Sequence, residues 1–226
     1  MGKIKRLIKS FIKAHPKLTA FLYRLYNRLP FNNRIRGGRG NRVDVRGTMK
    51  NCRITFLGKN NILEFREGTV LRDCSFHISG NNNRIVFDRG VFGKQVDLCT
   101  EGNSNGIFAG ERTSFAGTIH LACIEGTNIT IGKNCLFSSQ IVFRTGDSHV
   151  VTDLEGNRIN PSKDIVFGDH IWMGHRAMVT KGVHIGNDNI IGTGAIVTKS
   201  IPETNCVIAG VPAKVVKTGV NWDAKR

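Results

Sequence analysis

The fold is decided by six consecutive hexapeptides, FGDHIW-MGHRAM-VTKGVH-IGNDNI-IGTGAI-VTKSIP, which run from residue 167 to residue 202. The first position always holds a large apolar residue: Phe167, Met173, Val179, Ile185, Ile191 and Val197. The fifth position holds Ile171, Ala177, Val183, Asn189, Ala195 and Ile201. A period of six fits neither a helix nor one long strand. It predicts short strands joined by sharp corners, with three hexapeptides per triangular coil and the first residue inside.

A looser repeat precedes this stretch. Its marker glycines Gly58, Gly80, Gly102 and Gly126 are 22, 22 and 24 residues apart, each following an alternating apolar run. Self-similarity at a fixed period predicts a solenoid. We assign residues 40–217 to it and residues 218–226 to a C-terminal tail. Cys52, Cys74, Cys99 and Cys123 have a similar spacing, which favours a ladder of small buried residues over a redox role.

The formal net charge of +16 is concentrated at the N-terminus, because residues 1–36 contain ten Lys or Arg and no acidic residue. Apolar residues recur there at helical spacing: Ile4, Leu7, Ile8, Phe11 and Ile12, then Leu18, Phe21, Leu22, Leu25, Tyr26 and Leu29. We expect Pro16 to break this run into two helices. A basic amphipathic segment can bind an anionic membrane surface, and the alternative is a helix that packs on the protein. We expect no nucleic-acid partner, since no recognition motif accompanies the charge.

The sequence contains no secretory signal and no apolar stretch near the length of a membrane span. The expected location is therefore the cytoplasm, peripheral to the inner face of the plasma membrane.

Three stretches carry a resemblance to a known family. They are RTGDSH at 144–149, FGDHIWMG at 167–174 and VIAGVPAK at 207–214. With the hexapeptides, they resemble the hexapeptide-repeat acyltransferases, and within them the sugar O-acetyltransferases of bacterial surface polysaccharides. The resemblance is tight over 119–217, loose over 40–118 and absent from 1–36. It implies a left-handed parallel β-helix, a homotrimer with active sites between subunits, acetyl-CoA as co-substrate and a glycan acceptor.

His149 is the predicted general base. It continues the six-residue slot of Ile131, Phe137 and Phe143, and loop-forming residues follow it from about 150 to 163. A histidine there predicts that the chain leaves its regular coil. Imidazole can accept the proton of a sugar hydroxyl, so no covalent enzyme intermediate is needed. The resemblance gives the matching His this role, with Asp147 or a backbone carbonyl as possible orienting groups. The alternative is a loop histidine without a role.

Further site residues follow from motif position. Trp172 matches an aromatic residue near the acyl donor, although it could simply pack at a coil edge. The resemblance implies that six residues bind coenzyme A: His175, Thr193, Thr198, Lys199, Lys214 and Lys217.

Two other functions compete with acetyl transfer. His170 and His175 are five residues apart, a spacing used with a third histidine to bind zinc in gamma-class carbonic anhydrases. The closing motif at 207–214 argues against that function, and we expect no metal. The second alternative is a non-catalytic trimeric scaffold at the membrane.

Overall fold

Short parallel strands wind around an apolar interior in a computed structural model that describes residues 10–11, 14–27, 29 and 32–225. Successive strands enter three sheets in rotation, so each coil contributes one strand to each sheet. Sheet A contains β1 (Asn33–Arg36), β4 (Cys52–Leu57), β7 (Ser75–Ser79), β10 (Val96–Glu101), β13 (Ile119–Ile124), β16 (Ile141–Arg144), β19 (Met178–Val179) and β22 (Ile196–Val197). Sheet B contains β2 (Arg42–Val45), β5 (Ile62–Phe65), β8 (Arg84–Phe87), β11 (Gly106–Ala109), β14 (Asn128–Ile131), β17 (Ile165–Phe167) and β20 (His184–Ile185).

Sheet C contains β3 (Thr48–Lys50), β6 (Val70–Arg72), β9 (Phe92–Lys94), β12 (Ser114–Phe115), β15 (Leu136–Phe137), β18 (Trp172–Met173), β21 (Ile190–Ile191), β23 (Cys206–Gly210) and β24 (Ala213–Thr218). All pairs are parallel except β23–β24, a closing hairpin that contains the cis peptide Val211–Pro212. The left-handed parallel β-helix predicted from the sequence is confirmed. We name the three corners AB, BC and CA, after the sheets that they join.

The interior is filled as the repeat predicts. All six first-position residues of the hexapeptides are buried, and so are the six at the fifth position. Upstream, phenylalanine rings contact each other from coil to coil, with centroids 5.3 Å apart for the stacked pair Phe115 and Phe137 and 5.2 Å apart for the tilted pair Phe65 and Phe87. Burial of each such ring supplies about 1.5–3 kcal/mol of transfer free energy. The solenoid is therefore held mainly by one continuous apolar column.

Buried asparagines line corner AB in the upstream coils. The Oδ1 atom of Asn61 accepts the backbone N–H of Asn83, and that of Asn83 accepts the N–H of Asn105, at 2.8 and 2.9 Å. A buried amide would be costly without partners. Here each one satisfies the backbone of the next coil, so the asparagine ladder fixes the register between coils.

The predicted cysteine ladder is wrong beyond its first step. The register aligns Cys52 with Cys74, but the next partners in that column are Val96 and Ile119. Cys99 instead lies opposite Ala122, and Cys123 opposite Thr100. Burial is the main factor that raises the pKa of the Cys99 and Cys135 thiols to about 11, so both are protonated at neutral pH.

The one helix described in full, α1 (Pro16–Asn27), covers the N-terminal end of the solenoid. Pro16 begins this helix, where a proline is well tolerated. Asn27 is buried; its amide donates to Gly47 O and accepts from Met49 N, both at 2.9 Å. Arg24 forms an ion pair with Asp44 at 2.6 Å. A polar edge of the helix therefore holds it to the first coil.

The apolar stripe of α1 faces outward. Leu18, Phe21, Leu22, Leu25 and Tyr26 are all exposed. Ile4, Leu7, Ile8 and Ile12 lie outside the described residues. Strand β1 occupies residues 33–36, inside the range that the sequence assigned to the helical segment. None of the described helices is long and apolar enough to cross a bilayer.

Candidate active site

His149 lies on a loop that leaves the solenoid at corner AB, between β16 and β17. Thr145 at the loop root is buried, whereas His149 is exposed. The loop carries a small hairpin in which Thr152 and Arg158 form an antiparallel bridge. The predicted excursion is therefore present, and it holds His149 away from the packed interior.

Three side chains, which we call the loop clamp, fix the base of this loop. Asn160, itself buried, donates to Asp147 Oδ2 at 2.9 Å and to the His149 carbonyl oxygen at 2.8 Å. Lys181, from the next coil, donates to the same carboxylate and to Asn160 O at 3.0 Å. The hydrogen bond from Lys181 is the main cause that lowers the pKa of Asp147 below its usual value. The Asp147 carboxylate accepts hydrogen bonds from Lys181 and Asn160, so it anchors the loop.

Two further contacts hold the loop from either side. Arg144 donates to Ser148 Oγ at 2.7 Å, immediately before His149. Arg158 reaches both carboxylate oxygens of Glu125 at 2.9 Å, and Ser162 Oγ donates to the same group at 2.8 Å. The position of His149 is therefore set by contacts to its backbone neighbours, while its imidazole is exposed to an incoming group.

Trp172 lies on the outer face of sheet C with 42% of its surface exposed. The C-terminal residues run past it. Trp222 stacks on His170 with ring centroids 4.3 Å apart and donates its indole N–H to His170 O at 2.9 Å. Trp172 and Trp222 are 6.2 Å apart, and they line a cavity of about 430 Å³ together with Leu136, Ser138 and Lys225.

His149 and Trp172 face different sides of the prism. The loop leaves at corner AB, and sheet C is the side opposite that corner. The packed interior lies between them. A single chain therefore does not bring the predicted base and the predicted donor-site tryptophan onto one surface.

The six residues assigned to coenzyme A are also divided between the two sides of the prism. His175 and Thr193 follow each other at corner CA, where Gly194 N donates to His175 O at 2.8 Å. Lys214 and Lys217 lie on β24, at the C-terminal edge of sheet C. Thr198 and Lys199 lie instead at corner AB, above the His149 loop. One chain therefore presents two half-sites, one at corner AB and one on sheet C with corner CA.

The histidines that the zinc alternative would require, His149, His170 and His175, do not meet within the chain. His170 is at corner BC, where its Nδ1 lies 2.8 Å from Asp188 Oδ1 and Trp222 covers its ring. His175 is at corner CA, on the other side of β18. Within the described part of the chain, no group of three or more His, Cys, Asp or Glu side chains is placed to hold a metal ion.

Comparisons with known proteins show which sequences and folds this chain is similar to. No family model matches the chain. It is 49% identical over 110 residues to a polysialic acid O-acetyltransferase of Neisseria meningitidis, covering 48% of this chain and 51% of that protein. It is 33% identical over 117 residues to the Escherichia coli O1:K1 / APEC polysialic acid O-acetyltransferase, covering 51% and 38%. The chain thus matches about half, or less, of these relatives' length.

Two solved structures extend the similarity. The polySia-specific acetyltransferase NeuO superposes with a TM-score of 0.77 at 28% identity, covering 86% of this chain and 82% of that one. The polysialic acid O-acetyltransferase OatWY gives 0.69 at 27%, covering 86% and 91%. The predicted resemblance to the hexapeptide-repeat acyltransferases is confirmed. Both sequence relatives and both superposed structures are named as polysialic acid acetyltransferases.

Proposed function

We propose that this protein transfers an acetyl group from acetyl-CoA to a sugar hydroxyl of a bacterial surface polysaccharide, and that the acceptor is an anionic chain of the polysialic acid type. The acceptor class comes from relatives that the chain resembles along about half of its length. The observation that carries the proposal is the pair of half-sites, one with an exposed imidazole on an anchored loop and one with an exposed tryptophan beside a cavity.

His149 acts as the general base. Its imidazole accepts the hydroxyl proton as the sugar oxygen attacks the thioester carbonyl carbon, and the same proton is then available for the departing thiolate. Acetyl-CoA supplies the activated acetyl group. The sugar oxygen attacks directly, so no residue of the chain has to carry the acetyl group. The loop clamp keeps His149 in place through its backbone carbonyl.

Trp172 fits a role beside the thioester. Within the described residues its indole N–H has no acceptor, unlike that of Trp222. An exposed donor next to a cavity can hydrogen-bond to a carbonyl oxygen as negative charge develops there. We propose a cyclic trimer in which corner AB of one subunit faces sheet C of its neighbour. That arrangement would bring His149 of one chain to Trp172 of the next.

The corner beside Trp172 suits a long ligand that lies against backbone. A Cβ added at Gly174 would come within 2.7 Å of Thr193 N, so this glycine lets the next coil pack closely. A Cβ added at Gly194 would meet nothing within 4 Å, so the corner is open on that side. Lys214 and Lys217 beyond it are exposed and can bind phosphates. We propose that His175, Thr193, Lys214 and Lys217 hold one side of coenzyme A, with Thr198 and Lys199 reaching it from the adjacent subunit.

The exposed stripe of α1 supports a peripheral membrane site at the cytoplasmic face. Changing Leu18, Phe21 and Leu25 together to Ser should abolish binding to anionic vesicles. The helix should stay in place, because its other edge holds it to the solenoid. Deleting residues 1–36 would be a poorer test, since it removes β1 and the Asn27 contacts. Unchanged vesicle binding by the triple variant would refute this part of the proposal.

The direct test of the activity is a turnover assay with acetyl-CoA and polysialic acid, beside neutral glycans and with a chelator present. We expect free coenzyme A and O-acetylated polysialic acid, with no loss in the chelator. Zinc near one per subunit together with CO₂ hydration, and no acetyl transfer to any glycan, would reject the proposal in favour of the zinc enzyme.

A further inference from the structure

Three basic side chains are stacked along corner CA at the N-terminal end of the solenoid. Lys50, Arg72 and Lys94 end β3, β6 and β9, and they are register partners on successive strands. All three are exposed. Neighbouring strands lie about 4.8 Å apart, so these positive charges form a closely spaced row that we call the basic ladder.

Corner BC carries a comparable row, but its charges are balanced. Arg46 contacts Asp44 and Glu67, and Arg66 contacts Glu64 and Asp88, at 2.9 to 3.2 Å. Among the described residues, no ion pair involves a side chain of the basic ladder. Like charges on adjacent strands repel and destabilise a sheet. An anionic ligand would relieve that repulsion at the ladder, whereas corner BC already has its counter-charges.

The column of the ladder leads to Trp172. Beyond Lys94, the register continues with Ala116, Ser138 and Gly174, which are small and leave the surface open. Ser138 and Trp172 both line the 430 Å³ cavity. Lys94 lies three strands from Trp172, or about 14 Å, and Lys50 about 24 Å. Lys214 and Lys217 lie on the opposite, C-terminal side of Trp172, so the ladder is remote from the phosphate end proposed for coenzyme A.

Helix α1 adds aromatic side chains at the far end. Leu22, Tyr23 and Tyr26 line a cavity of about 450 Å³ whose other wall includes Lys50 and Arg72. Tyr26 is 44% exposed. Aromatic rings can pack on the apolar face of a sugar ring, while Lys and Arg bind its carboxylate. This combination suits an acidic sugar unit better than a neutral one.

We propose that the basic ladder and the α1 cavity form an extended site for the acceptor, separate from the reacting centre, which binds several acidic sugar units of one chain and delivers it to Trp172. This inference rests on the proposed function and adds the path of the acceptor chain, which runs from Trp172 along corner CA toward the N-terminal end of the solenoid. Because several units must bind at once, long chains should be better acceptors than short ones.

The test compares two triple variants. Lys50→Gln, Arg72→Gln and Lys94→Gln together remove the ladder. The matched control, Arg42→Gln, Lys59→Gln and Arg84→Gln, removes three exposed basic residues elsewhere. Two readouts are measured: KM for polysialic acid chains of increasing length and for acetyl-CoA, and direct binding of polysialic acid without acetyl-CoA.

We expect the ladder variant to bind long chains at least about tenfold more weakly and to show a KM for them at least about tenfold higher, since it loses several charged hydrogen bonds. KM for acetyl-CoA and for short acceptors should hardly change, and the control should behave like the unmodified protein. Equal losses in both variants would mean that net charge alone attracts the chain, and a change confined to acetyl-CoA would place the coenzyme on the ladder. Either result overturns the inference.

The binding readout separates this inference from the proposed function. If the protein transfers no acetyl group but binds long polysialic acid through the ladder, the extended site stands and the activity fails. If it acetylates polysialic acid and the ladder variant binds and reacts normally, the activity stands and the extended site is rejected.

Discussion

The two ends of the solenoid use the same coil for different purposes. From β4 to β14, strands of sheets A and B are four to six residues long, and the marker glycines Gly58, Gly80 and Gly102 recur every 22 residues. From β18 to β22 the strands have two residues, and register partners such as Trp172 and Ile190 are 18 apart. The wide coils carry long polar and charged ladders. The narrow coils have glycine corners that let successive coils pack closely, and the corner at Gly194 is open. Under our proposals, the acceptor-binding surface lies at the wide end and the reacting centre at the narrow end.

The largest effect should come from the loop where the wide coils give way to the narrow ones. His149→Ala should lower kcat by about 10²–10⁴-fold, the usual contribution of a general base. Because the clamp contacts the backbone carbonyl of His149, the loop should stay ordered and assembly should persist, as size-exclusion chromatography can check. Near-full turnover by this variant would remove His149 from the mechanism.

The asparagine ladder tests whether the wide coils have their own source of stability. Asn83→Ala should lower the free energy of unfolding by about 1–3 kcal/mol, because it leaves the buried N–H of Asn105 without its partner. Asn157→Ala, on the exposed loop, is the control and should change stability far less. Equal denaturation midpoints for the two variants would show that the ladder adds nothing to stability.

In the narrow coils, removing positive charge should affect acetyl-CoA binding. Lys199→Gln and Lys214→Gln should raise KM for acetyl-CoA more than they lower kcat, since contacts to remote phosphates act equally on the ground and transition states. The effect should shrink at high salt. A rise in the KM for the glycan alone would assign these lysines to the acceptor.

The smallest effect concerns the clamp between the two ends. The pKa of Asp147 is lowered, chiefly by Lys181, so its contribution to stability is complete above the ordinary carboxyl pKa. It is lost as the pH falls through the lower, folded-state pKa. Asp147→Asn should therefore be less stable than the unmodified protein at neutral pH, and the difference should disappear in strong acid. A difference in stability independent of pH would mean that the ion pair is not its source.

Periodicity predicted the interior well, because a residue's place in the hexapeptide fixes whether it points inward. Phe167 and Val197 were assigned correctly without any knowledge of long-range contacts. The cysteine ladder was wrong for a related reason. The step between Cys74 and Cys99 is 25 residues, whereas the coil advances 22 there, and a shift of three positions moves a side chain to the other face.

The site was predictable only in part. His149 and Trp172 come from short motifs, but their placement on opposite sides of the prism depends on how coils are stacked. Asn160 and Lys181 were missed because their contacts join residues 13 and 34 positions away from Asp147. Trp222 was missed as well, although one of only two tryptophans just beyond the closing hairpin was a usable signal. Its contact with His170 spans 52 residues.

The measurement that tests the account most directly is subunit complementation. His149→Ala and Trp172→Ala subunits are each expected to be almost inactive as pure assemblies. When the two are co-expressed, a site that takes His149 from one chain and Trp172 from its neighbour is intact in about one case in four of a random cyclic assembly. We predict that the mixed protein recovers acetyl transfer to about that fraction of the unmodified rate. Mixed assemblies that remain as inactive as the parents would contradict a site shared between subunits.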